Sequence, residues 1–175
     1  MEGVQRQRQA GFTLVEILVT IVVLSIGLLG IAGMQASSLR NNHAAYTKTQ
    51  AANLAADMAD RIRANPGASS GAYVYNTSGF AAPETSCITA GCAPDALASY
   101  DLYEWSIPLL GKTAAGDAAA QPVLPEAQGD IAQDGNDYVI TLLWREPAFA
   151  SGMERMQCVA DQDPEFACFQ LRVRP

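Results

Sequence analysis

The sequence predicts an α+β fold: a long N-terminal helix, half membrane-suited and half amphipathic, packed on a small antiparallel β-sheet head. Three observations carry this expectation. Nothing in residues 12–64 stops a helix, because the first proline is Pro66 and Asn65-Pro66-Gly67 is a strong stop. Residues 17–39 hold no charged side chain. Two β-branched and aromatic runs, 138–144 and 166–173, lie late in the chain. With 175 residues there is room for one ordinary domain and an appendage.

The elements follow in order. Residues 1–11 are a short polar leader with Arg6 and Arg8, ending at Gly11. Positive charge ahead of an apolar segment keeps that end cytoplasmic, so the bulk of the chain is translocated; Arg40 on the far side opposes this weakly. The apolar run from Phe12 to about residue 34 exceeds the roughly 20 residues that cross a bilayer. Glu16 sits inside it. A charge there is expensive and is a functional-site hypothesis by default. Gly27, Gly30 and Gly33 allow another helix to approach closely in lipid, and a plain dimerisation face is one reading of them. At 1.5 Å per residue the helix would extend about 80 Å. Its second half is amphipathic: Ala51, Leu54, Ala55, Met58 and Ile62 share one face. Asp57 and Arg61 form a favourable i,i+4 pair on another.

Residues 67–93 are rich in Gly, Ala, Ser and Thr and read as connecting structure. Pro94 and Asp95 open a second helix with Ala98, Leu102, Trp105 and Leu109 on one face, and Pro108 is expected to end or kink it. Residues 111–137 read as turn-rich, with a short strand near Val123-Leu124. Asp134-Gly135-Asn136 is a turn signal ahead of the strand at 138–144. In the last strand Phe169, Leu171 and Val173 alternate with Gln170, Arg172 and Arg174, a half-buried pattern. The two late strands are expected to pair antiparallel and to pack on the amphipathic helix.

Charge and cysteines bound the chemistry. The net charge is −7, and without residues 1–11, which carry one net positive charge, it is −8. That balance argues against nucleic-acid binding, which needs clustered Lys and Arg. The one locally basic stretch, Arg61-Ile62-Arg63, sits beside Asp57 and Asp60 and reads as surface ion pairs. Four cysteines, Cys87, Cys92, Cys158 and Cys168, allow three pairings in an exported chain. The nearest-neighbour pairing, Cys87 with Cys92 and Cys158 with Cys168, is favoured. The second loop is worth roughly 2.5–3 kcal/mol by chain entropy. Zinc-ligand spacings are absent and the one histidine, His43, lies on the long helix, so no metal or cofactor is expected. No nucleophile elbow, phosphate-binding glycine loop or base-histidine pairing occurs, so no enzyme activity is expected. Gly30-Ile31-Ala32 offers small residues for a conventional signal cut, but the apolar run is long for that and holds Glu16. Asp101 and Glu104 read as a solvated helix edge rather than an acid–base pair.

Gly11-Phe12-Thr13-Leu14-Val15-Glu16, after a short basic leader and before an apolar run, resembles the class III signal of type IV pilins and pseudopilins. The anchor around Leu24 to Gln35, the helix ending Ala59-Asp60-Arg61-Ile62-Arg63-Ala64-Asn65-Pro66, the strand at 138–144 and the ending from Cys168 to Arg174 resemble minor pilins of the PilV type. The resemblance is close over the first sixty-odd residues and loose beyond. The proline that many major pilins carry in the membrane helix is missing here.

The resemblance implies cleavage between Gly11 and Phe12 by a prepilin peptidase, N-methylation of Phe12, and an assembly role for Glu16 as partner of the new amino terminus. The organisation would be leader 1–11, transmembrane and assembly helix 12–36, amphipathic periplasmic helix 37–66, and disulfide-braced head 67–175. The partners implied are the inner membrane, other minor and major pilins, and the pilus assembly platform. The location implied is the inner membrane with the head in the periplasm, then a surface pilus serving adhesion or motility. A pseudopilin of a type II secretion system shares the same N-terminal motif. Asp161-Gln162-Asp163-Pro164-Glu165 would then be a conceivable calcium loop, although a surface turn is the simpler reading.

Overall fold

The computed structural model describes residues 11–76, 83, 87, 91–112, 121–146, 157–160 and 162–175. The elements are α1 (Leu14–Ala64), β1 (Tyr75–Asn76), α2 (Pro94–Leu110), β2 (Gln128–Asp134), β3 (Asp137–Arg145) and β4 (Phe166–Val173). The chain divides into two compact units, residues 1–42 and 43–175, with the boundary inside α1. The expected leader, except Gly11, lies outside the described residues.

The long helix ends where the sequence says it must. Ala64 is its last residue, and Asn65 N–H turns back to the Ile62 carbonyl at 3.3 Å before Pro66. In the second unit its buried residues are Thr47, Ala51, Ala55, Met58, Ala59 and Ile62, a single stripe at helical spacing. Leu54, expected on this face, is partly buried beside it.

The four strands form one antiparallel sheet in the order β1-β2-β3-β4, each strand beside its sequence neighbour. The β3–β4 pairing is the expected one, from Tyr138 opposite Val173 to Arg145 opposite Phe166. β2 and β3 meet in a two-residue turn between Asp134 and Asp137, with Gly135 at φ 65°, where a side chain would be strained. One expectation fails here. No strand forms at Val123-Leu124; the strand is Gln128–Asp134, inside the stretch read as turn-rich. Its residues are poor strand formers, and pairing with β3 along its whole length overrides that propensity.

α2 begins with Pro94 at its first turn, as expected. Pro108 does not end it. The helix runs to Leu110 and stops at Gly111, whose left-handed backbone (φ 68°) lets its N–H reach the Ile107 carbonyl. The Pro108 carbonyl accepts from Val123 N–H at 2.9 Å. Ala98, Trp105 and Leu109 are buried, and Leu102 is partly so.

The core of the second unit lies between the helices and one face of the sheet. Trp105, Trp144, Tyr73, Met58, Ile62, Ile131, Ile140 and Leu142 fill it. Three alanines, Ala51, Ala55 and Ala59, thin the α1 stripe, and the Trp105 indole N–H donates to the Leu54 carbonyl at 2.8 Å. On the sheet side α2 rests on a residue without a side chain. A Cβ at Gly129 would stand 2.6 Å from Leu109 Cδ2 and 3.0 Å from Trp105 Cη2. Leu109 and Trp105 are both fully buried, so making room means shifting packed side chains. Gly129→Ala should therefore destabilise the chain by about 1–3 kcal/mol. Thermal unfolding of the purified protein in micelles, followed by near-ultraviolet circular dichroism, reads this as a lower midpoint.

Candidate functional site

The first candidate site is the start of α1. Gly11, Phe12 and Thr13 precede the helix, and Phe12 is 80% exposed. Thr13 is the cap. Its Oγ1 accepts from Glu16 N–H at 3.3 Å, and its carbonyl accepts from Ile17 N–H at 3.3 Å. Thr-x-x-Glu is the sequence form of a capping box, so Thr13 has a local role that the motif reading did not assign. The cap uses only residues 13 to 17. Glu16 stands exposed in the first turn, where the helix dipole favours a negative charge. No hydrogen bond or ion pair to its carboxylate is found among the described residues.

Beyond Glu16 the helix satisfies its own polar groups. Thr20 Oγ1 donates to the Glu16 carbonyl at 2.6 Å and Ser25 Oγ to the Ile21 carbonyl at 2.7 Å. Both hydroxyls thus need neither water nor a partner. The large apolar side chains from Phe12 to Met34 are exposed on every side of the helix. The helix is long and apolar enough to cross a membrane. A Cβ at Gly27, Gly30 or Gly33 would meet nothing within 4 Å. Such a surface is stable only against hydrocarbon or against other apolar helices.

The second feature is a polar lattice in the head. Asp101 was expected on a solvated helix edge; instead it is buried, at 8% exposure. Its Oδ2 accepts from the Tyr73 hydroxyl at 2.7 Å and its Oδ1 from Arg61 Nη1 at 3.3 Å. Arg61 Nε also holds Asp57 at 3.0 Å, the expected i,i+4 pair. Asn65 Nδ2 donates to the Tyr73 oxygen at 3.1 Å and to the Pro94 carbonyl at 2.7 Å. Burial, and then the hydrogen bond to Asp101, push the Tyr73 phenol well above its ordinary range. It is therefore a fixed donor at any physiological pH. These side chains join the end of α1, the 65–73 turn and the start of α2. Arg63 pairs outward with Asp60 at 3.1 Å, a true surface pair.

The cysteines join as Cys87–Cys92 and Cys158–Cys168. The second bond ties β4 to the chain that precedes it. In the acidic stretch at 161–165, Asp161 lies outside the described residues. Asp163 Oδ1 accepts from Glu165 N–H at 2.8 Å, and Glu165 pairs with Arg145 at 2.9 Å. The groups are used in a turn and an ion pair. No group of three or more metal-ligating side chains exists among the described residues.

Two family models match the chain. Residues 6–32 match the prokaryotic N-terminal methylation motif. Residues 33–103 match the Tt1218-like family, described as type IV pilin Tt1218. The chain is therefore similar to a prepilin-like methylation motif over its start and to a type IV pilin family over the 71 residues that follow. The second span contains the Arg61, Asn65, Tyr73 and Asp101 lattice, and the sheet from β2 onward lies outside it. Comparison with curated proteins and with solved structures finds no match.

Two predictions come from the lattice. Arg61 meets two carboxylates of unequal burial, with side-chain exposure of 51% for Asp57 and 11% for Asp101. Asp101→Ala strands a buried phenol and part of a guanidinium, so it should destabilise by about 2–3 kcal/mol. Asp57→Ala should cost under about 1 kcal/mol. Denaturant midpoints of the two variants measure the difference. The second concerns acid. A hydrogen bond from Ser69 N–H, 2.6 Å long, holds the Asp95 carboxyl below the usual carboxylate range. Its folded pKa is thus below its unfolded one. The stabilisation is complete above the ordinary value near 3.8 and fades as pH falls through the lower folded value. The unfolding midpoint of Asp95→Asn should fall less steeply than the parent's below about pH 4.

Proposed function

We propose that this chain is a minor pilin of the PilV type. A prepilin peptidase removes residues 1–11 between Gly11 and Phe12, and Phe12 is N-methylated. Residues 12–36 hold the subunit in the inner membrane, with the head in the periplasm, until it is drawn into a type IV pilus. There it acts in assembly or priming and in pilus-dependent adhesion or motility. Its work is to bind other pilins rather than to catalyse a reaction.

One observation carries this reading: the apolar first half of α1, to Leu39, is bare on all sides and its single charge is a carboxylate in the first turn, within the match to a methylation motif. Cutting at Gly11 turns Phe12 into a new amine. Thr13 already caps the helix, so the cut leaves the cap whole. The amine sits at the positive end of the helix dipole, which disfavours it. Buried among apolar helices, it would cost several kcal/mol alone, and so would Glu16. Paired, each removes the other's penalty. A plain membrane anchor needs neither the amine nor the carboxylate. The partner amine belongs to a neighbouring subunit or to the same helix.

Glu16→Ala should leave cleavage largely intact and lower the amount of this chain in sheared pili by at least about tenfold, roughly the 1.4 kcal/mol equivalent of one lost pairing. Immunoblots of membrane and pilus fractions measure both. Normal incorporation of the variant would refute the pairing role. Cleaved parent protein absent from pili would point instead to a secretion pseudopilus.

A further inference from the structure

The head carries a cleft that no part of the assembly reading uses. It lies between the turn that follows α1 and the β2–β3 hairpin, and its volume is about 320 Å³. Pro66, Ser70, Tyr73, Gln133, Asn136 and Tyr138 form most of its wall. No charged side chain lines it among the described residues. This is notable in a chain of net charge −7.

The cleft is built, not left over. Gln133 Nε2 donates to Ser70 Oγ at 2.7 Å and to the Gly135 carbonyl at 3.1 Å. The Tyr138 oxygen accepts from Gly71 N–H at 3.0 Å. These bonds clamp the hairpin to the 69–71 turn, where Gly71 takes a left-handed backbone (φ 85°) that a side chain would strain. Within the wall, Tyr73 is locked by Asn65 and Asp101 and meets Tyr138 edge-on, with ring centroids 6.1 Å apart. The side chains that face the opening are therefore pre-oriented, which lowers the ordering cost of binding.

Their remaining hydrogen-bonding capacity defines the ligand. The Tyr138 hydroxyl keeps its proton to donate, and the Ser70 hydroxyl likewise. Gln133 Oε1 accepts, and the Asn136 amide does both. An alternating set of neutral donors and acceptors matches a chain of hydroxyl groups. Pro175, the last residue of the sequence, also lines the cleft, and its terminal carboxylate adds an acceptor for hydroxyl groups, while no cationic side chain is there for a phosphate or sulfate. The volume falls at the small end of ligand sites. We propose that this cleft binds a neutral saccharide of one or two rings. The site is independent of how the N-terminus is processed.

The test is saturation-transfer difference NMR on the full chain in zwitterionic, sugar-free micelles. Lactose, cellobiose and N-acetylated chitobiose are the probes, and sialyllactose is the charged comparison. At least one neutral disaccharide should give a saturable signal with Kd of millimolar order or lower. Asn136→Trp fills the mouth from an exposed turn and should weaken that signal at least tenfold. Tyr138→Phe removes one donor and should weaken it severalfold. An unchanged circular dichroism spectrum and unfolding midpoint for Asn136→Trp establish that the head is intact. Absence of saturable binding by all three neutral probes overturns the proposal. So does binding that Asn136→Trp leaves unchanged, or equal binding of sialyllactose.

Discussion

An ionised carboxylate alone in hydrocarbon is costly, and the role proposed for the start of this chain depends on that constraint. From Phe12 to Leu39 the helix holds one charge, Glu16. The other polar side chains near it, Thr13, Thr20 and Ser25, each close a hydrogen bond on their own helix. Glu16 alone is left with its capacity open. The match to the methylation motif over residues 6–32 supports the proposed reason, an amine made at Phe12 by cutting the chain. In that proposal the amine would be the partner of the carboxylate, and the Thr13 cap, which uses no residue before Thr13, would survive the cut.

The head answers a different demand. A helix that is apolar all round for its first turns must become one-sided where water begins. Ala51, Ala55 and Ala59 make that side thin, and Trp105 comes close enough to donate to the α1 backbone. Gly129 performs the same service on the sheet. Close approach on both sides of Trp105 fixes the spacing of the two layers. The Arg61, Asn65, Tyr73 and Asp101 lattice then fixes their register, because directional bonds tolerate less sliding than apolar contact does.

The parts of this structure legible in the sequence are those governed by local rules. The helix limit at Asn65-Pro66, the first turn of α2 at Pro94, and strands β3 and β4 follow from proline chemistry and period-2 patterning. β2 was hidden because Gln128, Gly129, Asp130, Ala132 and Gln133 carry no strand pattern. Their place is set by β3 and by the shape of Trp105. Asp101 was misread for a related reason: its partners lie 28 and 40 residues away in sequence. Spacing along α2 alone places it beside Glu104 and cannot show the burial. At the candidate site, Gly11, Phe12 and Glu16 stood out through their motif. The Thr13 cap has a sequence form too, Thr-x-x-Glu, but that form is common to many helix starts and gains meaning only from the hydrogen bond of Thr13 Oγ1 with Glu16 N–H.

The central claim is that Glu16 is one half of an ion pair whose other half is made by cutting the chain. The most direct measurement is the mass of the amino-terminal peptide of this protein recovered from cells that make pili. The expected result is a mature chain that begins at Phe12 and carries one N-methyl group. A chain that retains Met1, or one that begins beyond Ala32, would contradict it, because then no amine would stand four residues before Glu16.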